Sequence, residues 1–297
     1  MYKSDNFKQL DNETFTLKIN TDRDYKILQL TDLHLGFGMF SRKKDRLALR
    51  AVSRIIKRTK PDLIVLTGDS IFPFFPKAGT MNNKRQGELL ISFMDRFAIP
   101  YALVFGNHDC EILAKYRKDS KGRVVLPLAF LDSNMYGEGS WFYSGFDCIH
   151  KDQVDWCMDK LDELKIENED IKAMAFFHIP VNEFKEAYEK MKMGDKSVIY
   201  KHGNIGEANE HFGIPRFDGT FFNKAVENGV IKWMFCGHDH LNTLSLVYKG
   251  IQLTYGMSID YLGYKGIVKR HTQRGGTLIT RHTDGSVDIN MVPLEHA

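Results

Sequence analysis

Five strand-like apolar runs in this chain each end in side chains that bind metals, and this repetition constrains the fold more than any other feature. The segments are Gln29-Leu-Thr-Asp32-Leu-His34, Leu66-Thr-Gly68-Asp69, Phe105-Gly106-Asn107-His108-Asp109, Phe176-Phe-His178 and Cys236-Gly237-His238-Asp239-His240. They follow runs such as KIL, DLIV, YALV, AMAF and IKWMF, which read as buried strands. In open α/β folds ligands gather outside the carboxyl ends of strands. Five such ends can bring Asp32, His34, Asp69, Asn107, His178, His238 and His240 to one place. Seven oxygen and nitrogen donors are too many for one ion of ordinary coordination number and suit two. A single segment of this kind would pass for an ordinary polar strand end; five in order do not.

A chain of 297 residues with no repeat, low-complexity tract or Pro/Gly-rich linker reads as one domain, 1–297. Its formal net charge of +3 is too small for a nucleic-acid footprint, so a nucleic-acid partner is not expected. The densest basic run, Arg42-Lys-Lys-Asp-Arg46, reads as the solvated start of a helix. Cys110, Cys148, Cys157 and Cys236 form no CxxC pair, which points to packing rather than metal or disulfide roles. The N-terminus lacks an apolar signal core and no run reaches membrane-spanning length, so a soluble cytoplasmic protein is expected.

Residues 14–19 (TFTLKI) alternate as a strand expected to pair early in a sheet. Leu47, Ala48, Ala51, Val52, Ile55 and Ile56 fall on one helical stripe that ends before Pro61, and Leu89, Leu90, Phe93, Met94 and Phe97 on another. This alternation predicts βαβαβ with parallel strands. Val154, Cys157, Met158, Leu161 and Leu164 predict a third helix entered from Asp152; Phe221, Phe222, Ala225 and Val226 predict a short one. Beyond residue 242 the pattern turns to hairpins around Lys249-Gly250 and Asp284-Gly285, predicting a second, largely antiparallel sheet. The aperiodic stretches 112–147 and 193–219 follow the third and fourth motifs, and are expected over the site as lid or specificity loops.

Asp32 and His34 are two apart, as are His238 and His240, so on extended backbone each pair projects to one side. Each could clamp one ion or straddle two. Asp69 is the donor best suited to bridge, because one carboxylate carries two oxygens, and Gly68 before it leaves room for close approach. Mixed imidazole and oxygen donors suit Mn, Fe and Zn better than Ca or Mg.

The order D-x-H, G-D, G-N-H-D, H, G-H-x-H, spanning residues 29 to 240, resembles the calcineurin-like metallophosphoesterase family. GIQLTYG and the Gly/Tyr-rich 261–266 further resemble the branch related to purple acid phosphatase-like protein phosphatases. The resemblance implies a four-layer α/β/β/α sandwich of two mixed sheets flanked by helices, with a dinuclear centre. It assigns Asp32, His34, Asp69 and His240 to a first metal, and Asp69, Asn107, His178 and His238 to a second. His108 matches the family histidine that faces the leaving group without binding metal; together with Asn107 it would meet the substrate. Asp109 would orient His108 or cap a following helix, and Asp239 lies between two ligands as a supporting residue. True purple acid phosphatases place a tyrosine ligand where this chain has Phe72, so tyrosinate–iron ligation is not expected. Two cations so held would draw in a phosphate and acidify a bridging water for in-line attack. The expected activity is hydrolysis of a phosphomonoester on a small molecule or protein. A phosphodiesterase is the runner-up, and a non-catalytic scaffold the contrasting class.

Overall fold

The computed structural model describes residues 7–9, 14–109, 126–134, 136, 145–216, 219–264, 267 and 273–294. The chain opens with β1 (Phe7–Gln9) and β2 (Phe15–Leu17), then β3 (Tyr25–Leu30), α1 (Arg42–Thr59), β4 (Leu63–Thr67), α2 (Phe75–Ala78), α3 (Asn83–Met94) and β5 (Tyr101–Val104). It continues through β6 (Leu128–Phe130), α4 (Lys151–Glu167), β7 (Ala173–Phe176), α5 (Glu183–Lys192), β8 (Val198–His202), α6 (Phe221–Asn228) and β9 (Ile231–Cys236). Two hairpins follow, β10 (Ser245–Tyr248) with β11 (Ile251–Tyr255) and β12 (Gly275–Arg281) with β13 (Val287–Pro293).

These strands build a five-stranded sheet in the order β13-β12-β3-β4-β5 and a six-stranded sheet in the order β6-β7-β9-β11-β10-β8. In the first sheet β3, β4 and β5 run parallel, with Ile27 opposite Leu63 and Ile64 opposite Tyr101, while β12 is antiparallel to β3. In the second, β6, β7, β9, β11 and β8 share one direction, and β10, between β11 and β8, runs antiparallel to both neighbours. Both sheets are therefore mixed, as the resemblance implies.

Burial on both faces of each sheet defines four layers. Ile27, Leu63, Val65 and Val104 of one sheet pack against Met174, Phe176 and Phe235 of the other. Their neighbours point the opposite way because side chains alternate along a strand. Leu28, Leu30, Ile64 and Leu66 thus meet α1 and α3, while Ala173, Ala175 and Met234 meet α4, α5 and α6. On α1 the buried stripe is Ala48, Ala51, Val52, Ile55 and Ile56, with Leu47 exposed. Val52, Ile55 and Ile56 each contribute roughly 1.5–3 kcal/mol by leaving water. The helix ends at Lys60 in the left-handed region, and Pro61 precludes another turn. Cys157 and Cys236 sit in the core as free thiols, while Cys110 lies outside the described residues.

One expectation holds and two change. Strand β2, within 14–19, pairs early as expected, with β1 in a separate two-stranded sheet. The two C-terminal hairpins do not form a second sheet together: β10–β11 extends one sheet and β12–β13 edges the other. Each hairpin carries one strand apolar enough to pair with a buried neighbour, and hairpin periodicity says nothing of which. The stretch 193–219 is not all loop, since β8 edges the six-stranded sheet, although Gly213 closes on His238. Much of 112–147 lies outside the described residues. Helix α5 went unread, although Phe184, Ala187, Tyr188 and Met191 have helical spacing. Among the described residues no helix is long and apolar enough to cross a membrane.

Candidate metal centre

All five motifs lie just beyond strand ends: Asp32 and His34 after β3, Asp69 after β4, Asn107 to Asp109 after β5, His178 after β7, and His238 and His240 after β9. Backbone hydrogen bonds brace the loops, with Asp32 N–H donating to Gly68 O at 3.1 Å and His34 N–H to Asp69 O at 2.9 Å. Gly237 N–H donates to His178 O at 3.0 Å. The pairs two apart are not on extended backbone. Asp32, His34, Asp69 and His238 take φ of 51°, 47°, 49° and 73°, in the left-handed region. Such non-glycine conformations cost on the order of 1–3 kcal/mol each, and packing must hold them. Gly68 (φ 87°) shows why a side chain is excluded there: a Cβ would sit 2.4 Å from His178 Nδ1.

The donors converge in two overlapping groups, Asp32, His34, Asp69 and His240, and Asp69, His178 and His238. Within each group the ligand atoms lie within 4.8 Å of one another. Asp69 is common to both, its Oδ2 lying 3.4 Å from His34 Nε2 and 3.4 Å from His178 Nε2. Asn107 Oδ1 joins the second group 3.2 Å from His178 Nε2. His238 and His240 straddle the two groups instead of clamping one ion. Asp32 Oδ2 and both ring nitrogens of His34 are buried without a hydrogen-bond partner. Buried polar atoms left so exact a heavy desolvation cost. Cations would meet them, so the donor set fits a dinuclear metal site.

Electrostatics agree. Burial pushes Asp32 up to about 6 and His34 down to about 3. Burial opposes ionisation of Asp69 too, but the imidazoles around it, His178 first, hold its carboxyl well below the usual carboxylate range. Against burial, the Asp69 charge raises His178 to about 10, and Asp32 with Asp260 raises His240 to about 9. Burial and the charge on His178 hold His238 well below an ordinary imidazole. Two imidazoles thus hold protons where the side chains alone must balance buried carboxylates.

Tautomers are set from outside the donor groups. His178 Nδ1 faces Thr67 O at 2.9 Å and must carry the proton to make that bond, leaving Nε2 to ligate. His240 Nδ1 faces Asp260 Oδ2 at 3.2 Å. Asp260 is fully buried; despite that burial, His34, His240 and nearby backbone N–H groups hold its carboxyl low. Arg274 Nε donates to Asp260 O at 2.8 Å, and its guanidinium lies 4.0 Å from the Tyr261 ring centroid. Sequence reading missed Asp260, although an acid closing GMSID after a strand resembles the other strand-end donors.

His108 sits at the rim with its side chain 39% exposed, Nε2 3.9 Å from Asp69 Oδ2. Its backbone N–H donates to Asp69 Oδ1 at 2.9 Å. Asp109 makes no hydrogen bond to the His108 ring, and the residues after it, where a capped helix would begin, lie outside the described residues. Its carboxylate accepts from Ser70, Ile71 and Gly106 N–H at 2.9–3.2 Å, tying two motif loops together. Asp239 turns away from the donors to accept from Gly213 N–H and, at 2.8 Å, from Tyr255 OH. Phe72 packs its ring 5.1 Å from His34 and 4.9 Å from His108, so its apolar edge lies where a tyrosine would bring oxygen. Tyr101 is engaged with Asp95, and Tyr143 is outside the described residues.

Fold and donors together define a dimetal-type phosphoesterase sandwich. A family model described as calcineurin-like phosphoesterase matches residues 25–242, and the chain belongs to that family. Two Arabidopsis thaliana proteins named probable inactive purple acid phosphatase 29 and 14 are 28% and 25% identical; the alignments cover 84% of this chain and 75% and 73% of theirs. Phosphatase DCR2 of Saccharomyces cerevisiae is 26% identical across 82% of this chain and 49% of its own length. A crystal structure of a dimetal phosphatase from Danio rerio superposes with a TM-score of 0.56 at 10% identity, covering 91% of this chain and 99% of that one. That likeness is one of fold.

Proposed function

We propose that this chain is a metal-dependent phosphomonoesterase that loads two transition-metal ions, of the Mn, Fe or Zn type, through Asp32, His34, Asp69, Asn107, His178, His238 and His240. The observation that carries the reading is a full donor set shared at Asp69, with His108 open to solvent beside it. When bound, such ions supply Lewis-acid polarisation of a phosphate and an acidified water. The chain's residues do the rest. Asn107 presents its amide oxygen to the second donor group. His108 reaches the rim, where it can give a proton to a departing alkoxide. The protonated Nδ1 of His178 and the contact of His240 with Asp260 keep both ligating nitrogens turned inward.

The word inactive belongs to the names of the plant relatives; in this chain neither a donor nor the rim histidine is missing. A panel of phosphomonoesters and phosphodiesters, assayed with Mn, Zn, Fe or Mg added to chelator-treated protein, tests the proposal. Metal-dependent turnover fastest on monoesters is expected. Faster turnover of a diester would make the chain a phosphodiesterase. No turnover by protein carrying two metal equivalents would make it a scaffold.

A further inference from the structure

An apolar face left open to water adjoins the metal centre and takes no part in it. Met39, Phe40, Phe74, Phe75 and Met81 are each between 49% and 73% exposed. They come from two segments, one after His34 and one after Asp69, that are clasped together. Phe40 N–H donates to Ala78 O at 3.1 Å, and Gly38 lies so close that a Cβ there would sit 2.1 Å from the same oxygen. The Phe40 and Phe75 rings meet edge to face at 5.8 Å, and Gly79 packs against Met39. The face begins at the rim of the metal centre, because Phe72, packed on His108, meets the Phe74 ring at 5.9 Å. These side chains are thus held outward on a braced scaffold. Contiguous apolar surface displayed in this way marks a place where a monomer meets something else.

Charge narrows what that is. Residues 36–46 and 72–87 carry seven Lys and Arg against one acid, whereas the whole chain carries 41 against 38. The one acid, Asp45, is buried and already occupied, accepting from Gly36 N–H at 2.9 Å, Phe37 N–H at 3.0 Å and Ser41 OH at 2.7 Å. Arg42, Lys43, Lys44, Arg46, Lys84 and Arg85 are exposed, and among the described residues none of them forms an ion pair. Apolar side chains projecting beside long cationic ones fit the headgroup boundary of an anionic membrane. There the rings and thioethers enter the acyl layer while ammonium and guanidinium groups stay among the phosphates. An acidic protein would match the charge, but protein interfaces are depleted in lysine, and Lys43, Lys44 and Lys84 supply half of these exposed cations. We infer that this face docks on an anionic lipid bilayer, burying Phe40 and Phe75 in its surface without spanning it. Docking sets the rim that carries His108 beside the headgroups. The inference does not rest on the phosphomonoesterase reading, since it needs neither metal nor turnover.

Two measurements test it. The intact chain is sedimented with vesicles of phosphatidylcholine alone, and of phosphatidylcholine with roughly one-third phosphatidylserine. Binding to the anionic vesicles is expected, weakening as salt rises, with little binding to the neutral ones. Lys43→Gln/Lys44→Gln should weaken it about fivefold for each charge removed. Phe40→Ser/Phe75→Ser, which leaves the net charge unchanged, should weaken it at least about tenfold. The second measurement reads insertion directly and keeps a bulky apolar residue in place. In Phe75→Trp, vesicles with brominated acyl chains should quench tryptophan emission more than they do in the wild type. No sedimentation with anionic vesicles, or binding indifferent to the two phenylalanines, overturns the inference. Quenching no greater than in the wild type also overturns it, leaving adsorption by charge alone. So does a chain that ignores vesicles and forms a dimer lost in Phe40→Ser/Phe75→Ser, for the face then belongs to a second copy.

Discussion

At the scale of single residues, His108 separates chemistry from metal binding. Its ring nitrogen stands off Asp69 by 3.9 Å and its side chain is open, so His108→Ala should keep both metals. Its kcat should fall by about 10²–10⁴ on alkyl phosphates, with a much smaller loss on aryl phosphates whose phenolate leaves unaided. Rates across leaving groups of graded acidity, with metal content measured in each sample, check this; an equal loss throughout would make His108 an electrostatic residue. Asp260→Asn should weaken metal binding at the His240 group by roughly 10–100-fold, since the carboxylate orients that imidazole. Metal competition against a fluorescent chelator would show it. Loading also has a pH signature. His178 and His240, raised to about 10 and 9 by neighbouring carboxylates, must lose protons before their nitrogens can ligate. Metal binding at pH 7–8 should therefore release protons. The release should fade as pH rises past about 10, while affinity falls as pH drops and faster once Asp32 protonates near 6. Calorimetry in buffers of different ionisation enthalpy counts those protons, and a count of zero at pH 7 would contradict the assignment. Of these residues the seven donors and His108 were legible as motifs. Asp260 was not, because one acid in a loop gains meaning only from the histidine it meets. The placement of Asp109 was likewise hidden, since its partners are backbone groups of another motif.

Among the elements, the parallel strands and most helices were readable because each buries one stripe or one continuous run. Strand β7 shows the link from packing to site. Phe176 is fully buried between the sheets, stacked 4.9 Å from Phe235, and two residues later the chain delivers His178. Phe176→Ala should cost about 3–5 kcal/mol from lost burial and the cavity left behind. Its denaturation midpoint should fall accordingly, with weaker metal retention in the second donor group. Loss of stability with metal affinity intact would mean the loop holds His178 independently of its strand. The hairpins were legible as hairpins: Lys249 and Gly250 take φ of 47° and 80°, the two-residue turn their sequence announces. The other turn is wider, with Gly285 alone positive and His282 N–H donating to Ser286 O.

For the molecule as a whole, the donor groups draw on both sheets: Asp32, His34, Asp69 and Asn107 from one, His178, His238 and His240 from the other. Bound cations would join the two halves across their interface. Ligand at about 100 times its dissociation constant stabilises by about 2.7 kcal/mol per site. Chelation should thus lower the melting temperature by several degrees, and Asp69→Ala, having lost the shared donor, should lose that response. A calorimetric scan with and without chelator checks both. What the sequence determined by itself was local: apolar runs long enough for strands, stripes of helical period, and donor residues at run ends, each written within a few consecutive positions. Tertiary structure decided which sheet each hairpin joins and the left-handed backbone that turns Asp32, His34, Asp69 and His238 inward. Those outcomes depend on contacts between residues as far apart as His240 and Asp32, 3.6 Å from each other across the site, and no local pattern encodes such a meeting.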